Sequence, residues 1–268
     1  MKNRFLRYLF DLFIFILGFL SLLAPFLFQQ VRNPGFSSAS FPLMVSFILV
    51  LCLLLIIFEA QSTFLDSKMI AFLGVLIAIN AGLRFMENAI PGPAGFSPIF
   101  FLIILTGYSF GSRIGFLMGA MTIFMSSLVT GGVGPWLPGQ MITAGWIGQS
   151  SALLKPVINR LCRQDKPGEI IILSIFGGFW GMFFGIIVNL WFWPFYSAAP
   201  DQTWLQTAGL MDNISRYAAY YLTTSLIWDV TRSIGNILVI SVFSKPVIKV
   251  FNRFMTRFSF EIVGRSEP

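Results

Sequence analysis

A chain of 268 residues that is 56% hydrophobic and only 11% charged, with a mean hydropathy of +0.80, lies far outside the soluble globular range and reads as a multi-span membrane protein. The absence of histidine excludes a His-based catalytic triad, a histidine metal ligand and an H-E-x-x-H protease site, and no G-x-x-x-x-G-K-[ST] run offers a phosphate loop. The formal charge of +7 is therefore read against a bilayer before any nucleic acid is considered.

A spanning helix needs roughly 20 apolar residues, and the chain shows runs near that length without strand-like alternation, so an all-α bundle is expected over a barrel. The apolar segments fall at about 10–28, 42–60, 69–86, 97–111, 114–130, 140–158, 169–194 and 217–243, the fourth and fifth being short. They divide into two N-terminal spans within 1–66, a six-helix core over 67–250 and a basic tail at 251–268. Lys2, Arg4 and Arg7 before the first run also suit a cleaved signal peptide, but Asp11 interrupts its start and no A-x-A site follows. Cys52 lies in an apolar run and Cys162 in a basic loop, so no disulfide framework is expected.

The even number of segments puts both termini on one side. Arg32, Arg84 and Arg216 fall on the other and Arg232 inside a span, which leaves fourteen of the eighteen Lys and Arg on the terminal side. By the positive-inside rule both ends are then cytoplasmic. The external connections of the core are "ENAIPGPAGF" at 87–96, "GGVGPWLPG" at 131–139 and the stretch 195–216, all rich in glycine, proline or aromatics. The inner ones, "GSR" and "NRLCRQDKPGE", are short or basic, so recognition is expected at the outer face.

Small residues recur every fourth position at Gly74, Ala78 and Gly82, at Gly107, Gly111, Gly115 and Gly119, and at Gly177, Gly181 and Gly185. Such stripes serve either packing within the bundle or docking of a separate membrane subunit, and the first of them is the expected partner face. Ser112 and Arg113 are expected to break the middle set with a turn.

Near the outer end of the first core helix, Arg84 and Glu87 are spaced as a structural ion pair or as ligand-facing groups. In "GGVGPWLPGQM", Pro135 and Pro138 stiffen the backbone, Trp136 offers an apolar plane and Gln140 can both donate and accept hydrogen bonds. This element reads as a rigid lid in which Pro135, Trp136 and Gln140 meet a ligand, or as an interfacial turn anchored by Trp136. Asp229, Arg232 and Asn236 share one helical face, either as an internal Asp229–Arg232 pair or with Asp229 and Asn236 toward a ligand, and Asn189 could join them. Tyr217, Tyr220 and Tyr221 fit an aromatic belt or a cavity wall, and Lys245, Lys249, Arg253 and Arg257 fit a basic helix face on anionic membrane lipid.

The short central helices, the run "GFLMGAMTIFMSSLVTGGVGPWLPGQM" from Gly115 to Met141 and "WDVTRSIGN" from Trp228 to Asn236 together resemble the substrate-binding S components of energy-coupling factor (ECF) transporters. The likeness covers about 69–250, and the G-P-W-x-P-x-Q-M element is closest to the cobalamin or corrinoid type, although Leu137-Pro138-Gly139 lacks the second tryptophan of that pattern. The resemblance implies a nonenzymatic, six-helix membrane subunit that captures a vitamin-like small molecule under its outer loops. It further implies a transmembrane T component and two cytoplasmic ATPases as partners, with no cofactor or metal of its own.

Three other readings stay open on the residues. An intramembrane enzyme would have to work through Asp229, Glu87 or Glu169. A cell-shape or envelope-assembly scaffold would need no rigid Pro/Trp lid. A solitary secondary carrier would have only Asp229 well inside the core for ion coupling.

Overall fold

The structure, a computed structural model, describes residues 15–16, 18–26, 67–89, 97–161 and 167–258. The span expected at 42–60, most of the 87–96 connection, both cysteines and the tail beyond 258 lie outside the described residues. The first span enters mainly through a helical stretch at 18–26. Among the described residues the chain is helical, with no strand.

Helix α1 (Ser67–Ala89) buries Leu73, Leu76, Ile77, Asn80 and Ala81, which recur at helical spacing, and exposes Ile70, Val75 and Ile79 on the other side. Helix α2 (Ile99–Phe110) is buried at every position from Ile99 to Ser109, as expected of a segment that is apolar all round. Its 12 residues reach only about 18 Å, less than the ~30 Å hydrocarbon core, so it is an inner helix wrapped by longer ones. Asn80 fastens α1 to its neighbours by donating to the Ile99 carbonyl at 2.9 Å and to Thr122 Oγ1 at 3.3 Å.

Gly111, at φ 99°, makes the turn into α3 (Ser112–Thr130), and Gly131, at φ 69°, ends α3 in the left-handed conformation. The chain then enters α4 (Leu137–Ser151). Where α2, α3 and α4 cross, a Cβ on Gly107 or Gly115 would strike the Gly148 carbonyl, and one on Gly119 would strike the Ala144 carbonyl. These three helices therefore meet backbone to backbone.

The apolar segment expected at 140–158 is two helices, because Pro156 has no N–H to give the Ala152 carbonyl. That carbonyl takes Lys155 N at 3.3 Å instead, and the Ser150 and Ser151 hydroxyls turn back onto Trp146 and Gly148 carbonyls. Helix α5 (Leu154–Leu161) follows, short and amphipathic.

Helix α6 (Pro167–Phe192) opens on a proline, as a first helical position permits, and closes in a 3-10 turn at Trp193–Phe195. The segment expected at 217–243 also divides, into α7 (Leu210–Thr224) and α8 (Leu226–Phe258). The break is at Ser225, whose carbonyl accepts from both Trp228 and Asp229, while Thr224 bonds back to Tyr220 at 2.7 Å. Helix α8 continues through Phe258, past residue 250 where the tail was expected to begin. It lies along α6, with Gly177 under Ile240, Gly181 against the Ser233 backbone and Gly185 against the Asp229 carboxylate.

Among the described residues, four helices are long and apolar enough to cross a membrane, at Ser67–Glu87, Ser112–Thr130, Pro167–Phe195 and Leu226–Arg257, and Ile99–Phe110 is a shorter apolar one. The molecule is an all-α membrane protein.

Candidate functional site

The last turns of α1, α3 and α6 and the first turns of α2, α4 and α8 come together at one end of the bundle, around a cavity of about 210 Å³. Its apolar wall is Ile99, Phe100, Ile123, Phe184 and Val188, and its polar groups are Arg84, Glu87, Ser97, Gln140, Asn189, Asp229 and Arg232. A second cavity, of about 710 Å³, lies between the 18–26 helix, α4 and α6 and is almost wholly apolar, with Phe19, Trp146 and Trp180 in its wall. Only the first offers charge, so only it has the chemistry to orient a polar ligand.

Asp229 is buried and forms an ion pair with Arg232, one turn on in α8. Tyr221 of α7 donates to its other oxygen at 2.8 Å. The Arg232 guanidinium also reaches the Gly181 carbonyl at 3.4 Å and lies 6.0 Å from the Phe100 ring centroid and 5.7 Å from that of Phe184. Gly185 makes the pair possible, since any Cβ there would overlap the Asp229 carboxylate.

Arg84 and Glu87 behave differently. No ion pair closes between them, although one helical turn separates them. Arg84 donates to Ser126 Oγ of α3 at 3.0 Å, and Glu87 accepts from Ser97 Oγ, just ahead of α2, at 2.8 Å. Gln140 and Asn189 line the same space, and among the described residues their side-chain amides have no hydrogen-bond partner.

The remaining expected residues stand elsewhere. Trp136 packs its ring 5.9 Å from both Trp191 and Phe192 and donates to the Gly132 carbonyl at 3.3 Å, and neither it nor Pro135 lines the cavity. Asn236 is fully buried and donates to the Gly177 carbonyl at 3.1 Å. Seven residues after Asp229, it stands about 10.5 Å farther down the helix, below the cavity floor. Ser97, Ser126, Phe100 and Phe184 were not expected; their one sequence signal is position, each lying near a helix end that the alternating topology brings to this side.

At the same end, α7 is clamped over the 193–209 stretch. Arg216 donates to the Pro200 carbonyl at 2.7 Å, Trp193 Nε1 to the Gln202 carbonyl at 2.8 Å, and Asn213 pairs with both backbone groups of Leu205. Tyr217 reaches from α7 to the Ile186 carbonyl of α6. Of the small-residue stripes, the second and third are used inside the bundle as described. Gly74, Ala78 and Gly82 are exposed on α1, and nothing approaches within 4 Å of a Cβ built on either glycine.

The family model for the ECF transporter, substrate-specific component, matches residues 68–244, which are the helices that build this cavity. The chain belongs to that family. No curated protein and no solved structure matches it. As an S component it is a substrate-binding membrane subunit of an importer, in a family whose members work with a T component and ATPases.

Proposed function

We propose that this S component captures a vitamin or cofactor precursor in the cavity among Arg84, Gln140, Asn189 and Asp229 and delivers it inward with a T component and two ATPases. The observation that carries the reading is a charged cavity at a helix-end junction inside the family-matched region, with two amides that have no partner among the described residues. Positive-inside reasoning turns that cavity outward. The connections at its end contain Arg216 alone among their cations, whereas Lys68, Arg113, Lys155, Arg160, Lys249 and Arg253 lie toward the other end. Both termini are then cytoplasmic.

The "GPWLPGQM" element favours a corrinoid. The cavity favours something smaller, because about 210 Å³ is below the ~300–1,000 Å³ of pockets that enclose drug-sized ligands. We take the smaller ligand as the first reading and a corrinoid as the second.

Mass spectrometry of small molecules retained by the purified chain, with titration of a corrinoid and a vitamin panel, tests the reading. A retained vitamin that binds about ten- to a hundredfold more weakly to Arg84→Gln or Gln140→Ala supports it. Full affinity in both variants removes these residues from the site, and failure to copurify with a T component removes the importer role.

A further inference from the structure

We infer that the ligand is a small zwitterion, with its acidic group on Arg84 and its cationic group on Glu87. The inference rests on the binding role proposed above and goes beyond it in naming the chemistry. Its ground is the pair that does not close. Charges at membrane depth are costly unless they are partnered, and Arg84 and Glu87 have the spacing to partner each other. Each is instead drawn to a neutral hydroxyl from a different element, Ser126 on α3 and Ser97 ahead of α2. Two independent parts of the fold thus draw the cation and the anion to separate hydroxyls at the wall of one cavity, beyond ion-pair distance of each other.

The other charged pair supplies the contrast. Asp229 and Arg232 are bound to each other, with Tyr221 on the carboxylate and two phenyl rings beside the guanidinium, so they leave little capacity for a ligand. Arg84 and Glu87 lie within electrostatic range of each other and, more weakly, of Arg232. What stays open to a ligand is therefore dipolar. Of the five N–H groups of Arg84, one is directed to Ser126, and Glu87 keeps an oxygen free of Ser97. A molecule carrying both a carboxylate and an ammonium completes both, whereas a simple anion leaves Glu87 unanswered and a simple cation leaves Arg84 so. The amides of Gln140 and Asn189 read its uncharged polar atoms, and Phe100, Ile123 and Val188 take an apolar part of modest size.

The test is calorimetric titration of the detergent-purified full chain with the proteinogenic L-amino acids, β-alanine and γ-aminobutyrate as zwitterionic probes, alongside cobinamide, biotin and riboflavin. Each zwitterion that binds is then compared with its amide, which lacks the anion, and its N-acetyl derivative, which lacks the cation. The expected result is that a zwitterion binds and that each derivative is weaker by about a hundredfold. Glu87→Gln should then erase the discrimination against the N-acetyl form and Arg84→Gln that against the amide. These are ratios within one protein preparation, so partial unfolding of a variant does not mimic them.

An N-acetyl derivative that binds as tightly as its parent overturns the inference. So does a panel in which no zwitterion gives heat. Heat with cobinamide, biotin or riboflavin in that case leaves the capture role standing and sinks only the zwitterion, whereas silence of every probe together with no copurifying T component sinks both.

Discussion

At the scale of single residues, the site depends on one missing side chain. Gly185 faces the Asp229 carboxylate so closely that a Cβ would displace it from Tyr221 and Arg232. Gly185→Ala is expected to cost about 1–3 kcal/mol through this overpacking and to weaken ligand binding as well, read from thermal melting in detergent and from titration. Unchanged melting would mean that Asp229 moves aside freely. The residues around it were unequally legible in the sequence. Arg84, Gln140, Asn189 and Asp229 stood out because polar groups beside apolar runs near helix ends are few, and all four line the cavity. Trp136 and Asn236 carried the same signal but went elsewhere. An indole requires a large apolar partner, which Trp191 and Phe192 supply, and Asn236 lies two turns too deep, where the Gly177 carbonyl takes its amide. Ser97 and Ser126 gave no signal, since a lone serine in such a chain is indistinguishable from the many that bond back to their own helix, as Ser127 does to Phe124.

At the scale of elements, the same residue type has opposite consequences on different helices. Gly148→Ala on α4 would drive a methyl group into the Gly115 backbone, and a peptide backbone cannot move aside as a flexible side chain can. It is expected to lower stability by about 1–3 kcal/mol, whereas Gly74→Ala on α1 meets open space and, with alanine the better helix former, should leave it unchanged or slightly raised. Melting of the two variants side by side checks the contrast; equal losses would mean that α3 and α4 separate at little cost. The order of the apolar core segments could be read from hydropathy because each needs its own apolar run, but not that two of the six divide, giving eight helices in the described core. The breaks at Ala152–Leu153 and Ser225 could not, because the short polar residues beside them, Ser150–Ser151 and Thr223–Thr224, barely interrupt the apolar runs and hydropathy is blind to the local hydrogen bonds that end α4 and α7.

At the scale of the whole molecule, α1, α6 and α8 each leave an apolar face uncovered, and that of α1 carries Gly74, Ala78 and Gly82 beside Ile70, Val75 and Ile79. With the other two stripes used in internal packing, we propose this one as the close-approach surface for a T component. Gly74→Leu combined with Ala78→Leu is expected to leave ligand affinity within about twofold while abolishing uptake and copurification of the partners. Normal uptake by that variant would place the docking surface elsewhere.

The glycine crossing of α2, α3 and α4 also divides the labour of the bundle. Those three helices touch main chain to main chain and contribute none of the charged groups at the cavity, while all four of those charges are on α1 and α8. The crossing thus sets the cavity wall, and the charge that a ligand would meet is carried by helices held in other ways, α1 by Asn80 and α8 by the glycines of α6.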